Sequence, residues 1–156
     1  MPQKSPVNLN DTLREVLILI RQSLDENGIK LQLQLDESLP HVLAQHIQID
    51  QVILNLTKNA IEAMPQDQSG DKTLLIKTEQ GDAQQVAMSI TDTGKGIDAD
   101  IQKRLFTPFA TSKKNGMGLG LSISQGIIAE HGGKLKMLGS SETGSTFQFT
   151  LPIIED

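Results

Sequence analysis

Asn55, Asn59 and Glu62 fall at i, i+4 and i+7 in a segment of helical periodicity, so three polar side chains share one ridge beside an apolar face. Asparagine is a modest helix former, and two of them in mid-helix are unfavourable unless their amides are used. Amide and carboxylate oxygens are hard ligands, suited to a Mg²⁺ ion that arrives on nucleotide phosphates. A solvated polar face is the plainer alternative, and Lys58 beside the ridge is expected to point to solvent. Asp92 opens the stretch Asp92-Thr93-Gly94-Lys95-Gly96-Ile97 directly after a strand-like segment. An acid at a strand end accepts from an exocyclic amine such as adenine's, and glycines let backbone approach a ligand, though a simple turn uses the same residues. Further on, Asn115-Gly116-Met117-Gly118-Leu119-Gly120-Leu121 sets three glycines at the start of a helix, where unpaired N–H groups and the macrodipole favour phosphate. Gly-Lys-Ser/Thr is missing, so this is not a Walker loop.

The elements that position these residues follow from periodicity. Asn10 and Asp11 offer a cap, and Leu13, Val16, Leu17, Ile20 and Leu24 recur at helical spacing until Asn27 and Gly28. Ile29, Leu31, Leu33 and Leu35 alternate with polar residues, as in a strand with one buried face, and Pro40 closes it. A second helix, the longest good one, is expected from Ile47 to Met64 with Ile49, Val52, Ile53, Leu56, Ala60 and Ala63 inward and Pro65 past its end. Thr73 to Thr78 and Gln85 to Thr91 read as a hairpin. The span from Asp92 to Gly118 is long for a connection in a compact domain. A third helix runs from the Gly116 to Gly120 cluster to His131, a last-turn cation, with Gly132 and Gly133 as C-cap. Two closing strands carry Leu135 and Met137, then Phe147, Phe149 and Leu151. The fold class is a two-layer α/β sandwich, a mixed sheet of about five strands on three helices.

At 156 residues the chain has room for one core. With no cysteine, neither disulfides nor thiolate metal sites hold it, which is compatible with a reducing cytoplasm. A net charge of −5 without a basic segment argues against a nucleic-acid surface. The longest apolar run, Val16 to Ile20, is too short to span a bilayer, so no membrane contact is expected.

Each motif alone is weak; their order is specific. Asn-x-x-x-Asn-Ala on a helix, Asp-x-Gly-x-Gly-Ile after a strand, Leu-Phe-x-Pro-Phe in a loop and Gly-x-Gly-x-Gly-Leu opening a helix resemble, in sequence, the N, G1, F and G2 boxes of histidine-kinase catalytic domains. The resemblance runs from about Asn8 to Pro152, and Leu105 to Leu121 is most similar to nitrogen- and oxygen-sensing kinases. It implies a Bergerat-type ATP-binding fold with a flexible lid, residues 10–153 as the catalytic domain, 92–118 as G1 box and lid, and 1–9 as the linker after an absent dimerisation hairpin. It also implies ATP and Mg²⁺ as cofactors, a cytoplasmic and monomeric fragment, and two partners, the parent kinase's phosphoacceptor helices and a response-regulator receiver domain.

Carried onto this chain, the resemblance makes Asn59 the Mg²⁺ ligand, with Asn55 supporting phosphates and metal, and Glu62 and Ala63 completing that end. Asp92 binds the adenine amine, Gly94 and Gly96 shape the pocket floor, and Ile97 borders the base. Thr146 resembles a threonine that reaches adenine in related ATPases, although alternation sets it opposite Phe147 and Phe149. Phe106 and Phe109 match lid aromatics, with simple local core as the competing reading. Thr111, Ser112 and Lys113 match a lid segment whose lysine approaches the terminal phosphate, and Gly116, Gly118, Leu119 and Gly120 match the hinge and amides of the G2 box. Related gyrase- and chaperone-type ATPases carry a glutamate base where this chain has Asn55, which disfavours hydrolysis and favours phosphoryl transfer. His41, His46 and His131 all lack the context of a phosphoacceptor. A serine kinase of the anti-sigma type and a non-catalytic nucleotide-binding module are the competing readings.

Overall fold

The computed structural model describes residues 3–82, 84–97, 99–103, 106 and 117–154, with backbone alone for 99 and 117–119. Among these, the elements run β1 (Ser5–Val7), α1 (Leu9–Glu26), β2 (Lys30–Gln34), β3 (Val42–Ala44), α2 (His46–Glu62), β4 (Thr73–Gln80), β5 (Gln85–Asp92), α3 (Ala99–Gln102), α4 (Met117–Glu130), β6 (Lys134–Ser141) and β7 (Gly144–Pro152). Five strands form a mixed sheet in the order β2-β4-β5-β7-β6, in which β2 and β4 are parallel and the other neighbours antiparallel. The alternation along β7 buries Phe147, Phe149 and Leu151 on one face, against the helices. α2 lies between α1 and α4 in the helical layer. The two-layer α/β sandwich is thus as expected from the hydrophobic periods.

Helix α2 forms where the sequence places its apolar stripe: Ile49, Val52, Ile53, Leu56 and Ala60 are buried. Gln45 caps it, accepting from the Gln48 N–H at 2.7 Å, and Pro65 lies beyond its last turn. At 17 residues it is one shorter than the 18-residue α1, so α1 is the longer helix. Helix α1 starts earlier than expected. Its cap is Asn8, whose side chain accepts from the N–H groups of Asn10 and Asp11. Asn10 is instead buried inside the helix, donating to the Asp36 carbonyl at 2.8 Å and accepting from the Thr78 hydroxyl at 2.8 Å.

Two further expectations are corrected, and one small sheet is added. β2 is an edge strand, and Leu33 is 42% exposed, because with a neighbour on one side only the strand is incompletely covered. β1 and β3 pair as a separate two-stranded sheet, too short to show a period in sequence. His131 is no solvated cation. It is buried, its Nδ1 lies 2.7 Å from the Ile127 carbonyl, and its Nε2 accepts from the Gln45 N–H at 3.1 Å. One ring nitrogen must donate and the other accept, so the imidazole is neutral and links the end of α4 to the start of α2. Gly132 at φ +80 then turns the chain out of α4.

No helix among the described residues is long and apolar enough to cross a membrane.

Candidate functional site

Strand alternation decides what surrounds Asp92. Ile90 pairs with Phe147 and Asp92 with Ser145, so Asp92 and Ser145 face the helices like the core residues before them. Thr91 and Thr146 pair on the opposite face, their hydroxyls 2.9 Å apart. Asp92 is only 4% exposed. Its Oδ1 accepts from the Gly94 N–H at 2.9 Å and the Ser145 N–H at 3.3 Å, and its Oδ2 accepts from the Ser145 hydroxyl at 2.9 Å. Burial pushes the carboxyl above its ordinary value, while these hydrogen bonds pull it back. A carboxylate offers about four acceptor positions. Three are filled, and the remaining one is on Oδ2, which suits a single N–H donor such as an exocyclic amine.

The loop after Asp92 is pressed onto the end of α2. A Cβ at Gly94 would lie 2.2 Å from the Ala63 carbonyl oxygen, and the Thr93 N–H points to the Met64 sulfur at 3.4 Å. Gly96, at φ +79, lies against Ser141, where a Cβ would come within 1.9 Å of the carbonyl oxygen. These two glycines are therefore required by protein packing, whatever ligand lies beyond them. Ile97 is fixed by its N–H donating to the Ser140 hydroxyl at 2.8 Å and packs on the core.

The ridge of α2 meets α4 on its other side. Asn55 donates from Nδ2 to the Ser124 hydroxyl at 3.2 Å, and a Cβ at Gly120 would lie 3.8 Å from the Asn55 amide. Asn59 is 9% exposed, and its Nδ2 is buried without a hydrogen-bond partner among the described residues. Glu62 is exposed and Lys58 points to solvent. The three motifs distant in sequence thus converge: α4 begins against Asn55, and the loop following Asp92 covers the last turn of α2.

Phe106 packs edge-on against Phe147, ring centroids 6.5 Å apart, and contributes to the core. Gly118 and Leu119 lie in the first turn of α4. Phe109, Thr111, Ser112, Lys113 and Gly116 lie outside the described residues. Thr146 and Asp92 line one polar groove with Thr91 and Ser140, but the residue that touches the carboxylate is Ser145. The sequence held the signal for it: alternation that points Phe147 inward also points Ser145 inward.

Residues 44–155 match the family of histidine kinase-, DNA gyrase B- and HSP90-like ATPases, and the chain belongs to that family. Within it, the chain is 37% identical to the sensor protein TdiS of Thauera aromatica over 97% of its own length and 28% of that protein's. The nucleotide-free catalytic domain of histidine kinase ThkA has the same fold, with TM-score 0.85 and 34% identity over 97% of this chain and 96% of that one. ThkA in complex with the response regulator protein TrrA also aligns, with TM-score 0.78 and 32% identity over 97% of this chain and 42% of that one. Full-length ShkA in complex with AMPPNP aligns with TM-score 0.82 and 29% identity over 98% of this chain and 32% of that one. The chain spans under a third of the length of the curated relatives it matches.

Proposed function

We propose that this chain is the ATP-binding catalytic domain of a sensor histidine kinase, and that it transfers the γ-phosphoryl group of Mg·ATP to a histidine on the dimerisation helices of the parent kinase, for relay to a response regulator. The observation that carries this is the convergence of the Asn55–Asn59 ridge, the buried Asp92 and the start of α4.

The side chains fit the nucleotide and its ion. Asn59 offers an amide oxygen, a hard ligand, and its partnerless buried nitrogen is costly until an acceptor such as a phosphate oxygen meets it. The ion, when bound, neutralises charge on the phosphates. Asn59 and Asn55 would hold it and orient the phosphates, with Glu62 at the outer end of the ridge. The free Oδ2 position of Asp92 takes the adenine amine, which selects the base because a buried acceptor without its donor is penalised. Ile97 and Phe106 border the base, with Ala63, Gly94 and Gly96 behind it. Phe109, Thr111, Ser112, Gly116, Gly118, Leu119, Gly120 and Thr146 are assigned to the remainder of the pocket by family resemblance, and Lys113 to the terminal phosphate as a point charge.

In the transfer, a histidine nitrogen attacks the γ-phosphorus, the bond to the β–γ bridging oxygen breaks, and ADP leaves. Asn55 has an amide where a general base would activate water, and an amide takes no proton, so transfer is favoured over hydrolysis. Among the chain's own histidines, His131 is buried and doubly hydrogen-bonded, and His46 is engaged by Glu15 and Asp50 at 2.9 and 3.3 Å. Neither is placed as an acceptor.

Incubating the chain with labelled ATP and a histidine-bearing hairpin from a related kinase tests this. The proposal expects label on the hairpin that is lost in acid and kept in base; acid-stable label would instead indicate a serine kinase.

A further inference from the structure

We infer that Ser124 is a positioning residue for Asn55, through which α4 sets the metal-facing ridge of α2; this rests on the nucleotide reading above. Ser124 is fully buried, and its hydroxyl accepts from Asn55 Nδ2 at 3.2 Å. A buried hydroxyl is unfavourable without a partner, and serine forms helix less well than alanine. Both penalties are offset by a bond whose other end is the polar ridge.

Gly120, one turn earlier on the same side of α4, lies against the same amide, with an added Cβ 3.8 Å from both Cγ and Nδ2 of Asn55. Residues i and i+4 of one helix therefore bracket the Asn55 carboxamide. The hydroxyl of Ser124 holds its nitrogen, and its oxygen is directed away from that hydroxyl. Since α4 begins with the glycines assigned to the phosphates, a displacement of its first turns reaches Asn55 directly, and Asn59 lies one turn further along the ridge. Ser124 itself acts only through Asn55.

Calorimetric titration with ADP, once in EDTA and once in excess Mg²⁺, separates this role from simple packing. Ser124→Ala is expected to keep the ADP affinity in EDTA and to lose about fivefold of the Mg²⁺-dependent gain. Asn55→Ala is expected to lose at least as much, and the double variant no more than Asn55→Ala alone. A full Mg²⁺-dependent gain in Ser124→Ala, an equal loss in EDTA, or additive losses in the double variant would overturn the role of Ser124. If Asn55→Ala also keeps the full gain, the nucleotide reading of the ridge fails first, and this inference falls with it.

Discussion

The two ends of the site hold buried polar groups in opposite states. At the sheet end, Asp92 receives three hydrogen bonds from Gly94 and Ser145, all supplied by the fold. On the helix ridge, the Asn59 amide nitrogen is buried with no partner among the described residues. The end proposed to recognise the base is thus held by the contacts that close β5 onto β7 and fold the following loop, with one acceptor position on Oδ2 left open. The end proposed to hold the phosphates is left with an unmet donor beside a hard oxygen. Alterations at the two ends should therefore separate stability from binding differently.

The largest effect is expected from Asp92→Asn, which keeps the shape but turns one acceptor into a donor. ADP affinity measured by calorimetry should fall about 100-fold, and preference for adenine over guanine nucleotides should collapse, as expected for a lost charge-assisted hydrogen bond. Retained discrimination would remove Asp92 from base recognition. Next comes Gly94→Ala, whose Cβ would lie 2.2 Å from the Ala63 carbonyl oxygen. Urea unfolding should show about 2 kcal/mol of destabilisation, in the range for overpacking, and unchanged stability would mean that the loop is not pressed on α2.

Asn59→Ala should weaken Mg·ADP binding about tenfold without lowering the melting temperature, since it removes an amide nitrogen that the fold itself leaves unsatisfied. A clear loss of stability would show that Asn59 is structural, and the contrast between the two ends would be gone. The smallest effect concerns pH. Burial holds the Asp92 carboxyl above its ordinary 3.8. A raised value means that its contribution to stability is complete below the unfolded value and is lost as pH rises through the folded one, so ionised Asp92 weakens the fold near neutrality. Asp92→Asn should therefore be the more stable protein at pH 7, with the gap narrowing as the pH approaches 4 in urea titrations. A gap independent of pH would contradict the role of burial.

Much of this arrangement is legible in the sequence because it depends on local period. The apolar stripes of α1 and α2 and the alternation of β4, β5 and β7 each span several repeats, and they fix the layers and the direction of the ridge. What depends on a single long-range contact is not legible. Asn10 reads as a cap because asparagine favours caps, yet tertiary bonds to Asp36 and Thr78 draw it inside while Asn8 takes that role. His131 reads as a helix-end cation until the start of α2 supplies an N–H to its ring. The Ser124 to Asn55 bond joins residues 69 apart and leaves no mark in the periodicity of either helix. Ser145 is half legible: alternation sets it on the face of Phe147, while its pairing with Asp92 rests on the register of β5 with β7.

The most direct test is a crystal structure of this chain with Mg²⁺ and a non-hydrolysable ATP analogue. The adenine amine is expected within about 3 Å of Asp92 Oδ2 and the Asn59 oxygen about 2.1 Å from the ion, with the Asn59 nitrogen no longer alone. A base bound away from Asp92, or phosphates bound away from the ridge of α2, would contradict it.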